Sequence, residues 1–418
     1  MKTKVKDPGL EYVQQLGIRA LRSSRVIFDD LDRMFGIEKG RRISAMIDKR
    51  AERENYTDEH DWKEADRQFY DLKNEDYDLS LYLTGAFDGD IIRRTCNWIT
   101  DHKDLFGDTI LEIGCDIGLI SCFLAKTFPN SIVTAIDRCK NGLAIGQKLA
   151  DKFGLTNIKF ICADANELTE KYETVFSMRV MHENHHSTED TTLLFKQTAR
   201  VFQEGTYSYA QTLSKLVSDE GLVISIERCG KNPLLLGWLW ALRDNGLIFS
   251  PDLYSELRCQ EVGSESTFEA NVYIKEIKAE VSEDDIYNEF CRMFIGDFDI
   301  GAPQFDGWVA AVMLQNSYDQ LIEGYEAYAP QQQNWKFLHV SLWTNSHDET
   351  SLLAYDVKLD EGLRRLCNTY LSNKEDWIKR NRDFCRQIID NGYIVRKAEL
   401  KDGAIVSGAI VRKEDLLD

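Results

Sequence analysis

The chain is 418 residues long, 43% hydrophobic and 29% charged, a globular composition that excludes a disordered chain and suits two or three domains. Its 51 Lys and Arg against 70 Asp and Glu leave a net charge of −19, which weighs against a general nucleic-acid binder. The longest run without a charge is Gly307–Tyr318, well short of the roughly 20 apolar residues a membrane span needs. The 10 cysteines are scattered and form no C-x-x-C, the pattern of reduced thiols in a cytoplasmic protein. The start, MKTKVKDPGLEYVQQ, has no apolar h-region, so no signal peptide is expected.

Residues 1–87 form a helical segment by spacing. Leu10, Val13, Leu16 and Ala20, then Ile27, Leu31, Met34 and Phe35, recur at helical intervals. Residues 88–278 alternate strand and helix. Expected strands are Thr109–Ile113, Ser131–Ile136, Asn157–Cys162, Glu173–Met178 and Gly221–Glu227. Helices are expected at Asp90–Asp101, Leu119–Phe128, Asn141–Phe153, Asp190–Val217 and Pro233–Asn245. Strands separated by helices of this length make βαβ units and a parallel sheet. Two last strands, Tyr254–Val262 and Phe268–Lys275, have no helix between them, so one should run antiparallel.

Residues 279–418 break that rhythm and predict an α+β domain. Helices are expected at Glu283–Phe294, Gly307–Tyr328, Glu361–Leu371 and Lys374–Asn391. A hairpin is expected from Trp335–Trp343 and Ser351–Val357, and two short strands at Tyr393–Ala398 and Gly403–Val411. Three roles are open to this part: binding a second protein, forming a homo-oligomer, or completing a substrate pocket.

The most informative segment is Ile110–Ala125, ILEIGCDIGLISCFLA. A buried strand enters a glycine turn, and the turn opens a helix. This places backbone N–H groups and a helix N-terminus at the carboxyl edge of the sheet, where open α/β sheets bind ligands. Gly114 permits the tight turn, and Gly118 lets the following helix approach closely. Glu112 sets a carboxylate where it can meet a cation. Asp137 ends the second strand, where a carboxylate can hold both ribose hydroxyls. Asp164 ends the third, where it can accept from an adenine amino group. Three acids ending three successive strands suit a cationic adenosyl ligand better than a diphosphate, which prefers G-x-G-x-x-G.

Residues 109–228 resemble a class I S-adenosylmethionine-dependent methyltransferase. The family's acid-x-G-x-G-x-G resembles Glu112-Ile113-Gly114-Cys115-Asp116-Ile117-Gly118. Its acid after strand two matches Asp137, and its acid after strand three matches Asp164. Its strand-four pattern is similar to Tyr172–Glu183. The resemblance implies a doubly wound, Rossmann-like, mostly parallel sheet of seven strands, and S-adenosyl-L-methionine as cofactor. It implies a cofactor site on Glu112, Gly114, Cys115, Asp116 and Gly118 of the turn. Asp137 and Arg138 would join after strand two, Asp164 and Ala165 after strand three, and Arg179 after strand four. The family's middle glycine is Asp116 here, and a side chain at that point crowds the methionine end of the cofactor or bonds its amino group.

His182-Glu183-Asn184-His185-His186 formally matches the zinc motif H-E-x-x-H, but it follows a strand where a loop is expected, and no metal is assigned. In a methyltransferase frame that loop overhangs the reacting methyl group. His182 is the first candidate base because imidazole titrates near neutrality, with Glu183 next and Glu227 after it. Trp238 and Trp240 read first as core and second as a substrate wall, and Tyr77 and Tyr82 as parts of a lid from the N-terminal helices. The expected function is in-line methyl transfer to a small-molecule O or N nucleophile. The alternatives are a protein-directed methyltransferase and a non-catalytic binding protein on the cofactor fold.

Overall fold

The computed structural model describes residues 7–51, 59–181, 195–229, 233–276, 281–294, 320–328, 335–344, 351–359, 362–370, 374–390, 392–401 and 404–417. By contacts the chain divides into two units, Met1–His185 with Ser208–Arg228 and Leu242–Ala279, and His186–Tyr207 with Cys229–Ala241 and Glu280–Asp418. No helix among the described residues is long and apolar enough to cross a membrane.

The first unit opens with five helices: α1 (Pro8–Leu16), α2 (Ser24–Phe35), α3 (Ile37–Ala51), α4 (Glu59–Lys73) and α5 (Tyr77–Asp101). Asp7 caps α1 by accepting the Leu10 N–H at 2.8 Å. The same carboxylate takes Nε of Arg93 and Nδ2 of Asn97, both at 2.9 Å, and so ties α1 to α5. The Tyr12 hydroxyl, buried, donates to the Leu119 carbonyl at 2.6 Å and ties α1 to the start of α6 (Leu119–Thr127). α5 begins on the Asp76 cap, ten residues before the expected domain boundary at 87, and runs through it unbroken. The N-terminal helices and the sheet therefore share one unit.

The sheet holds β1 (Thr109–Ile113), β2 (Ile132–Asp137), β3 (Ile158–Cys162), β4 (Tyr172–Met178), β5 (Val217–Glu227), β6 (Leu247–Phe249), β7 (Ser255–Gln260) and β8 (Glu265–Lys275). Its order is β3-β2-β1-β4-β5-β8-β6, with β7 also on β8. The pairs from β3 to β5 are parallel, and β8 runs antiparallel to β5, as the missing helix before it required. In chain order α6 follows β1, α7 (Lys140–Phe153) follows β2, α8 (Phe195–Leu216) follows β4 and α9 (Pro233–Asp244) follows β5; α8 and α9 belong in part to the second unit. The architecture is the expected doubly wound, mostly parallel sheet, with short β6 as an added strand. Ile110 and Leu111 of β1 are fully buried, as a central parallel strand covered on both faces must be. The strand order reverses beside β1, which puts a crevice at its carboxyl end. Trp238 and Trp240 are 0% and 2% exposed, the core reading.

The second unit adds α10 (Glu283–Phe294) and an antiparallel sheet of β9 (Gln320–Tyr328), β10 (Trp335–Thr344), β11 (Ser351–Leu359), β12 (Gly362–Tyr370), β13 (Ile394–Lys401) and β14 (Ala404–Ile410), with α11 (Lys374–Asp390) before β13. The hairpin β10–β11 and the pair β13–β14 lie where expected. Two expected helices are strands. Residues 320–328, the end of the expected helix Gly307–Tyr328, form β9, which pairs with β10 and β13; residues 307–319 lie outside the described residues. Gly362–Tyr370, expected as the helix Glu361–Leu371, pairs with β11 over nine positions. Cross-strand pairing overrides the helix propensity of their Leu, Glu and Arg.

The Arg93 guanidinium beside Asp7 holds its carboxyl down at about 2. A depressed carboxyl contributes stability above its usual 3.8 and loses it as pH falls through about 2. Asp7→Asn should therefore melt below the wild type at pH 6 and converge with it near pH 2, as thermal denaturation followed by circular dichroism would show.

Candidate cofactor site

β1 ends at Ile113, and the chain turns on two left-handed glycines, Gly114 and Gly118, each with φ 72°. The Gly114 and Cys115 N–H groups both donate to the Ile136 carbonyl, at 2.9 and 3.0 Å, which fastens the turn to the end of β2. The Gly118 N–H closes the turn on the Cys115 carbonyl at 2.7 Å and starts α6. A Cβ at Gly114 would stand 2.6 Å from Cγ2 of Val180, and one at Gly118 would stand 2.6 Å from Cε1 of Phe160. Both glycines are thus required by conformation and by close approach.

Three acids end β1, β2 and β3 as expected. Glu112 is 3% exposed and accepts from the Ser121 hydroxyl. Burial, helped by the nearby negative Asp137 and Asp116, pushes its carboxyl up to about 8 against the stabilising Ser121 bond. Asp137 accepts the Asp116 N–H at 2.8 Å on one oxygen and the Cys139 N–H at 2.7 Å on the other. Burial still raises its pKa above the ordinary value. Asp164 accepts the Asn166 N–H at 3.0 Å, and its own N–H donates to Glu167 at 3.1 Å, a reciprocal cap that fixes its side chain.

These groups open on a cavity of about 1010 Å³ within the first unit. Glu112, Gly114, Cys115 and Asp116 line it, with Asp137, Arg138, Asp164, Ala165 and Arg179. Gly118 is not in the lining and packs against Phe160 instead. Arg179 stands at φ 61°, pairs with Asp88 of α5, and lies over the Phe268 ring at 5.9 Å. His182, Glu183, His185 and His186, and with them the H-E-x-x-H pattern, lie outside the described residues. Glu227 is fully buried, and its Oε1 accepts the N–H groups of Val180 and Met181, both at 3.0 Å. It therefore shapes the chain leaving β4.

Much of the lining carries no sequence signal. Ile47 of α3 and Phe69, Tyr70 and Lys73 of α4 roof the cavity. Tyr77 and Tyr82, the expected lid tyrosines, are not in the lining; Tyr82 donates to Asp30 at 3.1 Å. The N-terminal helices do cover the site, but through α3 and α4. The Asp116 carboxylate does not stand free in the cavity. It is bound by Nζ of Lys73 and, at 2.8 Å, by Nδ2 of Asn74.

Residues 110–205 match the family model described as "Methyltransferase domain". This stretch is a class I S-adenosylmethionine-dependent methyltransferase domain. The malonyl-[acyl-carrier protein] O-methyltransferase of Bacillus cereus is 36% identical over 81 residues, 18% of this chain and 29% of that protein. The ribosomal RNA small subunit methyltransferase G of Brachyspira hyodysenteriae is 35% identical over 112 residues, 24% of this chain and 52% of that one. The chain thus spans no more than about half the length of these curated relatives. The crystal structure of magnesium protoporphyrin IX methyltransferase from Synechocystis with bound SAM is 16% identical, with TM-score 0.38 over 52% of this chain and 98% of that one.

The methyltransferase domain's Glu112 yields a test without ligand. Folding raises its carboxyl from 4.5 to about 8, so the folded state holds a proton the unfolded chain releases. This group makes stability fall as pH rises from about 4.5 to 8. Glu112→Gln should melt above the wild type at pH 8 and lose that advantage at pH 4.5 in thermal denaturation.

Proposed function

We propose that this protein is an S-adenosylmethionine-dependent methyltransferase that acts on a small-molecule O or N nucleophile. The observation that carries the reading is the trio Glu112, Asp137 and Asp164 at the ends of β1, β2 and β3, all lining one cavity beneath the α3–α4 roof. The residues present fit the cofactor. Glu112 is a buried carboxylate whose ionisation is held back by desolvation, so a bound cation would restore its charge. Gly114 leaves the turn backbone bare on the cavity side. Glu112 and the turn from Gly114 to Asp116 would take the methionine end. Asp137, with Arg138 beside it, would take the ribose, and Asp164 with Ala165 the adenine. The cofactor supplies, when bound, a methyl group already activated on a sulfonium.

What remains for the chain is alignment and exclusion of water. The α3–α4 roof closes the cavity on one side, and Arg179 and Glu227 set the path of the chain after β4 toward the acceptor. A hydroxyl or ammonium acceptor must also lose a proton, and His182, with Glu183 next, is the proposed base.

The volume of about 1010 Å³ is at the top of the roughly 300–1,000 Å³ range for a single ligand site, which leaves room for a small acceptor beside the cofactor. Carboxylates outnumber cations along the lining, which disfavours a polyanion at the transfer site. RNA is the competing acceptor, since some relatives are by name RNA methyltransferases. A protein side chain is the other. A non-catalytic binder is the alternative that Asp116 suggests from the sequence, and the pairing of its carboxylate with Lys73 and Asn74 weighs for the enzyme.

Calorimetric titration with S-adenosylmethionine should give saturable binding, and none at millimolar ligand would sink the assignment. Asp137→Ala should weaken that binding by about 100-fold, the scale of losing charge-assisted hydrogen bonds worth roughly 1.5–3 kcal/mol each, and abolish methyl transfer. Incubating metabolite extracts with protein and cofactor should reveal a small molecule heavier by one methylene; labelling confined to RNA or protein would reassign the acceptor.

A further inference from the structure

The residue that departs most from the glycine turn is also the one with the most unusual surroundings. Asp116 holds φ 46°, a left-handed conformation that non-glycine residues adopt at a cost. Its N–H is spent on Asp137, and its side chain on the junction between α4 and α5. There Lys73 Nζ meets Oδ2, and Nδ2 of Asn74 donates to Oδ1 at 2.8 Å.

That junction is built around the contact. Lys73 is 5% exposed and Asn74 2% exposed, both unusual for such polar residues. The Lys73 ammonium stands 5.2 Å from the centre of the Tyr70 ring, one helical turn back on α4. The Ser80 hydroxyl lies 2.8 Å from the Lys73 carbonyl and 3.0 Å from Oδ1 of Asn74, which locks the corner from the α5 side. Helix α7 closes the third side. A Cβ on Gly142 would stand 2.7 Å from the Asp116 carbonyl and 3.0 Å from Nδ2 of Asn74. A buried ammonium needs a counter-charge, and Asp116 supplies it at the position where the family resemblance expects no side chain.

We propose that Asp116 is a positioning residue that fastens the α3–α4 roof to the glycine turn, so that loading of the turn and closure of the roof are one event. The inference rests on the proposed cofactor reading for the loaded state, but the strut itself is a property of the unliganded chain. The aspartate carboxylate and the Lys73 ammonium form the strut, Asn74 and Ser80 brace it, and Tyr70 and Phe69 are the roof side chains it holds over the cavity. The strut then acts on acceptor access through the roof.

Hydrogen–deuterium exchange by mass spectrometry on the full chain separates the possibilities. In the unliganded protein, Asp116→Gly and Lys73→Met should each speed exchange across residues 59–73 about tenfold, while 109–113 of β1 exchanges as in the wild type. The double variant should show no further increase over Asp116→Gly, because the Lys73 contact is already broken there. The reversed pair Lys73→Glu with Asp116→Lys should recover part of the protection. Additive effects, or exchange across 59–73 unchanged in both single variants, would overturn the strut. Adding S-adenosylhomocysteine should slow exchange at 113–118 and 59–73 together in the wild type, and only at 113–118 in Lys73→Met. Protection of the turn without the roof in the wild type would overturn the coupling. If S-adenosylhomocysteine protects neither segment, the cofactor reading and the coupling built on it both fail, and the strut is still judged by the unliganded variants.

Discussion

The burial of the Glu112 carboxylate is the constraint around which the rest of the site is arranged. A carboxyl 3% exposed, with Asp137 and Asp116 close enough to raise it further, sits where its charge is expensive. The fold places it there because β1 is the central strand and the strand order reverses beside it. Everything nearby answers the accumulated negative charge. Ser121 donates to Glu112, two backbone N–H groups satisfy Asp137, and Lys73 neutralises Asp116. The remaining imbalance is what a cationic ligand would relieve.

A set of separate contacts places the N-terminal helices in the sheet's unit. Asp7 binds Arg93 and Asn97, Tyr12 reaches Leu119, and the Lys73–Asp116 pair joins α4 to the turn. Each of these contacts lands on α5, on the turn or on the helix that follows it. The N-terminal segment is thereby fitted to the elements that carry the site. It is the roof of the cavity as much as a covering for the apolar face that α5 and α6 present.

The far side of the site is shaped by Glu227 and Arg179. Arg179 follows β4 and Glu227 ends β5, and both hold the geometry of the chain there. Glu227 holds the backbone at Val180 and Met181, and Arg179, left-handed, pairs with Asp88. Glu227 was a candidate base from its place at a strand end. Its buried oxygen instead accepts main-chain N–H groups, so a residue's position on the sheet edge and its hydrogen-bond partners are separate facts.

What the sequence determined by itself was local. The run ILEIGCDIG announces a buried strand entering a glycine turn, because apolar length, glycine spacing and a following helix are all written within sixteen residues. The acids Glu112, Asp137 and Asp164 were legible for the same reason, each lying at the end of its own strand. Gly118 does allow a close approach, to Phe160 of β3 and Gly146 of α7, and was in the cofactor lining only by expectation. Tertiary structure decided the rest. β9 became a strand because β13, distant in sequence, pairs with it, and β12 because the neighbouring β11 folds back on it as a tight hairpin, which the Leu- and Arg-rich segment Gly362–Tyr370 does not reveal alone. Lys73 and Asn74 have no motif, and only folding sets them against Asp116, 43 and 42 residues away. Whether Asp116 crowds a ligand or braces a roof is a question of which way its carboxylate turns, and the buried ammonium of Lys73 is the physical reason it turns toward α4.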